Sequence, residues 1–516
     1  MPQAIVIGAG LGGIAAALRL RKKGYAVTLL DKQSQLGGRA TAYRKNGFVF
    51  DAGPTVITAH FLFDELFQLF GKRREDYVTF TPLYPWYRIQ FADGSTFDYG
   101  GTLEQTLAQI NKFDPTGHDA AGYQKLLAHT KRIFDVGFTQ LGDQPFETLW
   151  SMLKVSPELV KLGTWRTVWQ MTCKYVQNEN LRRVFSFQPL LVGGNPFNTT
   201  SIYSLIHYLE REWGVHFAMG GTGAIVAALG KLMEEEGVRI RLNAEVAEVV
   251  CGPDRTAMNE IIDNTKGRAA LPMAAATRVR GVRLANGDTL PTDLVVANAD
   301  APALYRRLIP APSRKKWTDR RLEKMQYSMG LFVLYFGTTR TYPDVAHHTI
   351  ILGRQYGDLL RDMFDRHQLE MSDFSVYLHR PTATDPSMAP AGCDSFYVLV
   401  PVPNLQGEID WSKIGPKYRD LVVDYLERTH LPGLRECITE DFYVTPQHFR
   451  DNLNTHHGTG FSIQPTFRQS AYWRFHNRSE DVAGLYLVGA GTHPGAGMPG
   501  VLCSAKVIEK LIPDPT

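Results

Sequence analysis

The segment "AIVIGAGLGGIAAALRLRKKGYAVTLLD", residues 4–31, constrains the fold more than any other part of the chain. "AIVI" has the unbroken apolar character of a strand buried on both faces. Gly8, Gly10 and Gly13 follow it in G-x-G-x-x-G spacing. Gly8 permits a tight turn, Gly10 lets a pyrophosphate approach the backbone, and Gly13 lets the next helix lie close to the sheet. "LGGIAAALRLRKK" reads as that helix, with its first amides aimed at a phosphate and Gly24 placed to end it. "YAVTLL" is a second strand, closed by Asp31. A carboxylate at this distance takes the ribose hydroxyls of a dinucleotide and repels a 2′-phosphate. The segment therefore predicts an α/β, Rossmann-like dinucleotide grip, and fits a nicotinamide and a flavin equally well.

Two further segments favour a resident FAD. Directly after the acid comes "LGGRATAYRKNGFVFDAGP", in which Gly37 and Gly38 permit close backbone approach and Arg39 offers a forked cation. A simple nicotinamide domain would run on into a crossover helix here. Near the other end, "LYLVGAGTHPGAGMPGV" (residues 485–501) places a strand, a glycine-rich turn and then a helix, so that a flat ring can approach bare backbone. "GGTGAIVAALGKLMEEEGVRIRLNAEVAEVV" (220–250) and "TDLVVANAD" (292–300), which ends in Asn298 and Asp300, read as further pieces of the same cofactor domain.

At 516 residues the chain needs two or three structural domains. A net charge of +4, spread along the sequence, gives no basic stripe for nucleic acid, and no nucleic-acid partner is expected. The five cysteines are scattered without metal or disulfide spacing, which fits a reducing, cytoplasmic setting. The glycine-broken apolar stretch after Met1 is not expected to be a signal peptide. No run of about 18 apolar residues exists, so membrane contact is expected to be peripheral.

The chain resembles the bacterial-type phytoene desaturases of carotenoid biosynthesis. The resemblance spans nearly its whole length, through "GAGLGGIAAALRL", "GGRATAYRKNGFVFDAGPTVIT", "FSFQPLLVGGNPFNTTSIYSLIHYLEREWGV", "LFVLYFG", "AHHTI" and "LYLVGAGTHPGAGMPGV". It implies an FAD enzyme that desaturates phytoene to neurosporene, lycopene or a more desaturated carotene, with a hydrophobic polyene as substrate. The terminal electron acceptor would be a quinone or oxygen. Carried onto this sequence, the nucleotide contacts fall on Gly8, Gly10, Gly13, Asp31, Gly38 and Arg39, with the Val246 backbone facing the adenosine. The flavin end falls on Gly491, Thr492, Gly497, Met498 and Val501. No catalytic residue is assigned. Residues 251–278 depart from the family as an insertion, expected to be a surface excursion.

The expected architecture is α/β. A discontinuous FAD domain (1–75, 220–305 and 475–516) joins a mixed-sheet substrate domain (76–125 and 306–474) and a helical, membrane-facing cap (126–219). In the cap, Trp150, Trp165 and Trp169 alternate with Lys154, Lys161, Arg166 and Lys174, a composition suited to a bilayer interface. This predicts a cytoplasmic protein held peripherally on the inner face of the cell membrane. A hydrocarbon substrate offers no heteroatom, so specificity must come from an apolar tunnel. The paired histidines His347–His348 and His456–His457 are read as ordinary hydrogen-bonding residues, since neighbours on a strand point to opposite faces. No metal is expected. His493, inside the last glycine turn, serves either the ring or the packing. The rival readings are another carotenoid desaturase, a flavin amine oxidase and a non-enzymatic prenyl-binding escort. An aromatic cage would mark the amine oxidase, and a colourless purified protein would mark the escort.

Overall fold

The computed structural model describes residues 1–254 and 277–515. Its centre is a five-stranded parallel sheet assembled from distant parts of the chain. The strand order is Leu485–Leu487, Val295–Ala297, Gln3–Ile7, Ala26–Leu30, Arg239–Arg241. Parallel neighbours need crossovers, and here whole domains serve as crossovers, so both chain ends meet in one sheet. The helices Leu11–Lys23, Thr222–Glu235 and Met498–Leu511 share one buried core on the sheet. Small side chains allow this: Ala15, Ala16 and Ala17 are fully buried in the first helix. Gly24 ends that helix in a left-handed conformation, as the sequence predicts. An antiparallel meander, Val246–Pro253, Thr277–Leu284 and Thr289–Pro291, contributes to a second core with the sheet's strands. The ends of the expected 251–278 excursion thus belong to a hairpin, and the excursion itself lies outside the described residues.

The second body is a seven-stranded mixed sheet. Its order is Ile438–Val444, Gly330–Thr338, Asp394–Val402, Val376–His379, His348–Leu352, Tyr87–Phe91, Thr96–Tyr99. Only His348–Leu352 and Tyr87–Phe91 run parallel. Gly330–Thr338 is buried at all nine positions because layers cover both faces. The helix Trp411–Thr429 shares the core on one side. The other side joins a core with helices His118–Phe134 and Leu149–Lys161. His118–Phe134 runs unbroken across the expected boundary at 125/126, so the helical cap begins earlier than the sequence suggests. Among the described residues, no helix is long and apolar enough to cross a membrane.

Candidate active site

One cavity of about 550 Å³ runs from the nucleotide turn to the face of the seven-stranded sheet. Nine of the twelve predicted site residues line it: Gly8, Gly10, Asp31, Gly38, Arg39, Val246, Gly497, Met498 and Val501. Gly13 does not, because it does the packing its position predicts. A Cβ built on it would lie 1.9 Å from the Gly8 carbonyl oxygen. Gly491 and Thr492 lie behind the turn rather than on the cavity. Gly491 packs against Ala301 and Ser462, and the Thr492 hydroxyl donates to the Gly489 carbonyl at 3.0 Å.

At the nucleotide end, Asp31 accepts from the Ala9 amide at 2.6 Å and from the Gln33 amide at 2.8 Å, which fixes the glycine turn beside it. Gly37 and Gly38 both have positive φ, and Gly37 donates its amide to the Ala9 carbonyl. Arg39 donates to the Gly460 carbonyl at 2.7 Å. Burial lowers the Arg39 pKa, opposed by the nearby Asp300 carboxylate. Asp300 is itself raised by burial, with its Oδ1 unpartnered. Asn298, which the sequence shows only as a strand end, packs against Gly8, Gly10 and Gly12, and against Gly489 of the C-terminal turn. Its side chain therefore joins the two glycine turns.

Two helices open on the cavity without a side-chain cap or an acid in the first turn: Leu11–Lys23 behind Gly10, and Met498–Leu511 behind Gly497. Free amides at both ends favour negative charge, on a pyrophosphate at the first and on a flavin ring at the second. The donor set fits FAD: bare backbone and helix ends at two points, and an acid at the ribose position.

Beyond the glycine turns the wall becomes apolar, with Leu331, Val333, Ile350 and Leu399 on the sheet and Leu159, Leu190, Leu205 and Leu209 opposite. Set into it is a polar cluster. Thr55 meets the hydroxyls of Tyr377 and Tyr397 at 2.9 and 2.8 Å, and Tyr377 meets His348 Nδ1 at 2.6 Å. The histidine expectation needs correcting here. His347 precedes its strand rather than lying on it, so its ring sits 4.5 Å from that of His348 instead of on the opposite face. His379 completes a trio whose ligand-type nitrogens lie within 4.8 Å of one another. Burial pushes the pKa of all three histidines down, so the trio is neutral. The pair His456–His457 is likewise adjacent, at 4.0 Å, because His457 takes a left-handed conformation. His493 lines the cavity, packs on Phe146 and approaches the Leu141 carbonyl at 3.2 Å; burial brings its pKa down to about 4.

Sequence reasoning missed two residues. Arg474 is fully buried and donates only to the carbonyls of Thr492, Gln469 and Ala490. Glu210, within a charged run on the helix Leu205–Trp213, is 0 % exposed and lines the cavity. Nothing in their local sequence marks either one.

A discontinuous Rossmann-like domain joined by one long cavity to an apolar sheet face defines a flavin-dependent oxidoreductase of the amine oxidase fold. A profile of the flavin-containing amine oxidoreductase family matches residues 11–506. The chain belongs to that family, and within it to the bacterial-type phytoene desaturases. It is 45% identical to a lycopene-forming phytoene desaturase of Pseudescherichia vulneris, over 99% of both chains. It is 42% identical to a neurosporene-forming one of Rhodobacter capsulatus, over all of this chain and 94% of the other. An oxidoreductase from Methanosarcina mazei shares the fold, with TM-score 0.61 at 15% identity over 98% of this chain and all of the other. Putrescine oxidase does too, with TM-score 0.59 at 12% identity over 99% and 98%. The cofactor is FAD.

Proposed function

We propose that this chain desaturates phytoene, yielding neurosporene, lycopene or a more desaturated carotene, at the apolar end of the cavity. The observation that carries the reading is the cavity itself: a nucleotide grip opens without a break into a wall of aliphatic side chains. A hydrocarbon can be held there only by shape and dispersion. FAD, when bound, supplies the two-electron acceptor for the hydride. Gly10, Gly38 and Arg39 would hold its nucleotide part, and the turn at Gly497 its ring. The protein excludes water and orients the chain. A quinone or oxygen serves as terminal acceptor.

The amine oxidase reading has less support. Tyr377 and Tyr397 line the cavity, but their rings meet edge to face at 80° and their hydroxyls are tied to Thr55, which leaves no slot for a cation between them.

Membrane contact on the cytoplasmic face belongs to the same proposal. Leu149, Trp150, Leu153, Val160 and Trp165 are exposed within one short stretch, and Trp150 is 64% accessible. Lys154 lies over Trp150 and Arg166 over Trp165, the pairing of amphipathic ring and cation that suits a headgroup zone. Trp169 instead packs on Phe197. The turn Ala471–Trp473, which packs against the helix Leu149–Lys161, exposes Trp473. Leu159 and Ala471 of these two elements line the cavity. The exposed apolar patch and the cavity wall are therefore two sides of the same elements, a short route from bilayer to flavin.

The test is expression in cells that accumulate phytoene, with chromatography of the pigments. Conversion to coloured carotenes supports the reading. Unchanged phytoene beside folded, yellow protein overturns it.

A further inference from the structure

The cavity reaches the surface at its nucleotide end. Of the described residues that line it, only Glu245, Arg307 and Asn452 are exposed, and all the others are buried or half-buried. Glu245 adjoins Ala244, whose amide donates to the Asp31 carbonyl at 2.8 Å. Arg307 and Asn452 face the residues that follow Asp31, as the bonds below show. The charge of FAD lies in its pyrophosphate, and the far end of the cavity is walled by aliphatic side chains. Passing a diphosphate along that wall would strip it of water with nothing in return. The nucleotide end is therefore the way in for the cofactor.

Side chains from both bodies of the fold cross that mouth. Lys32 and Gln33 follow the strand Ala26–Leu30 of the parallel sheet. Opposite them is the loop 451–454, at the end of the short helix Pro446–Asp451, which follows the strand Ile438–Val444 of the mixed sheet. Lys32 Nζ donates to the Asp451 carbonyl at 2.8 Å and to the Asn454 side-chain oxygen at 3.0 Å. Gln33 Nε2 donates to the Asn452 carbonyl at 2.5 Å. Arg307 reaches the same Asn454 oxygen at 3.3 Å. One amide oxygen thus draws in two cations. Asn454 holds it there with φ +56°, a left-handed conformation that asparagine tolerates better than most side chains. Behind it the chain is fixed, since the Thr455 amide donates to the Phe449 carbonyl and the His456 amide to Asp300. The bonds from Lys32 to Asp451, from Gln33 and from Arg307 are open to solvent. Bonds in contact with water are individually weak, so they can part and re-form.

We propose that the loop 451–454 is a gate for the cofactor: it moves aside to admit FAD, and Lys32, Gln33 and Arg307 then latch it through Asn454 and the neighbouring carbonyls. Lys32, Gln33, Arg307 and Asn454 all line the cavity, so latch and cofactor share one wall. Cofactor and hydrocarbon then enter at different ends of one cavity, and turnover leaves the flavin in place. The inference rests on FAD as the cofactor and not on the identity of the hydrocarbon.

A gate and a simple contact differ in kinetics. A contact to bound FAD slows release alone. A gate slows uptake and release together, so breaking it raises both rates and moves affinity little. Uptake is followed as the loss of flavin fluorescence when FAD is mixed with the full chain, freed of flavin by dialysis against bromide. Release is followed as the return of that fluorescence on diluting the holoenzyme. Asn454→Gly keeps the left-handed backbone and removes the latch oxygen, and Lys32→Met keeps the stem and removes the charge. Each should raise both rates about tenfold, the worth of a lost bond to a charged group. Arg39→Lys, a change at a contact deeper in the cavity, should raise release and leave uptake as it was. Uptake within about twofold of wild type in both latch variants overturns the gate, even where release is faster. A second measurement needs no flavin-free protein. In the holoenzyme, Lys32→Met should quicken amide hydrogen exchange over residues 449–455, a segment to which Lys32 does not belong, and leave the helix Leu11–Lys23 unchanged. Exchange no faster than in wild type over that segment also overturns the gate.

Discussion

The Arg474 guanidinium donates through Nε to the Thr492 carbonyl oxygen at 2.9 Å, from a side chain only 1% exposed. Its Nη2 reaches the Ala490 carbonyl at 2.6 Å and its Nη1 the Gln469 carbonyl. A buried cation thus clamps the backbone of the C-terminal turn, whose glycines leave it few contacts of its own. Arg474→Ala leaves three carbonyls without donors, and it should cost about 3 kcal/mol or more. Arg474→Lys keeps the charge but loses the fork, and should recover only part of that loss. Thermal melting and flavin content of the purified variants check this. Added FAD should raise the melting temperature of Arg474→Lys, because a ligand that binds only the folded state stabilises it.

Gly13 is where the first helix touches the first glycine turn. A Cβ there would fall 1.9 Å from the Gly8 carbonyl oxygen, a contact that only backbone movement relieves. Gly13→Ala should therefore cost several kcal/mol, about 3 or more, and abolish FAD retention. Gly94→Ala is the control. Gly94 has φ +84° and nothing within 4 Å of the added atom, so it pays only the left-handed backbone strain of about 1 kcal/mol. Flavin absorbance after gel filtration distinguishes the two.

These positions show what is legible in a sequence. Gly8, Gly10, Gly13 and Asp31 act within one local unit, so their spacing alone carries strand, turn, helix and acid. Glu210 and Asn298 take their roles from partners 123 and 290 residues away, and Arg474 from folding back on carbonyls 16 and 18 residues further along, a chain path that no local pattern encodes. In "YLEREW" Glu210 reads as one charge in a solvated run. Only the packing of its helix against Tyr87 and the sheet shows that this acid turns inward while Glu212 stays exposed. His347 and His348 fail in a simpler way. Alternation holds within a strand, and theirs begins at His348. The apolar strands "YRIQF" and "LFVLYFG" foretell a mixed sheet, but their order in it depends on pairings that no local pattern encodes.

Glu480 predicts an acid limb to stability. It receives Lys316 Nζ at 2.7 Å, Trp317 Nε1 at 2.9 Å and His476 Nδ1 at 2.9 Å. Burial alone would raise its pKa, but the bonds from His476 and Lys316 outweigh that and hold it at about 2, below the ordinary 4.5. A depressed carboxylate stabilises the fold above its unfolded pKa and loses that contribution as pH falls through the folded one. The contribution, about 3 kcal/mol, should be complete above about pH 4.5 and fade towards pH 2. Glu480→Gln should lower stability at neutral pH by about that amount and flatten this limb. Denaturant unfolding across the pH range measures both.

The exposed patch around Trp150 gives a prediction separable from chemistry. Trp150 and Trp165 are 64% and 58% accessible and touch no part of the nucleotide grip, while Leu159, on the same helix as Trp150, lines the cavity. If the patch meets the bilayer, the double variant Trp150→Gln, Trp165→Gln should bind anionic phospholipid vesicles roughly tenfold or more weakly in sedimentation. Flavin content and melting temperature should stay as in wild type, because exposed side chains add little to folding. Turnover of phytoene supplied in vesicles should fall with the binding if the substrate enters the cavity through this patch. Tyr84→Ser, a change at another exposed aromatic outside this patch, should leave binding intact. Equal vesicle binding by the double variant and wild type would remove the patch from any membrane role and place substrate access elsewhere on the cavity wall.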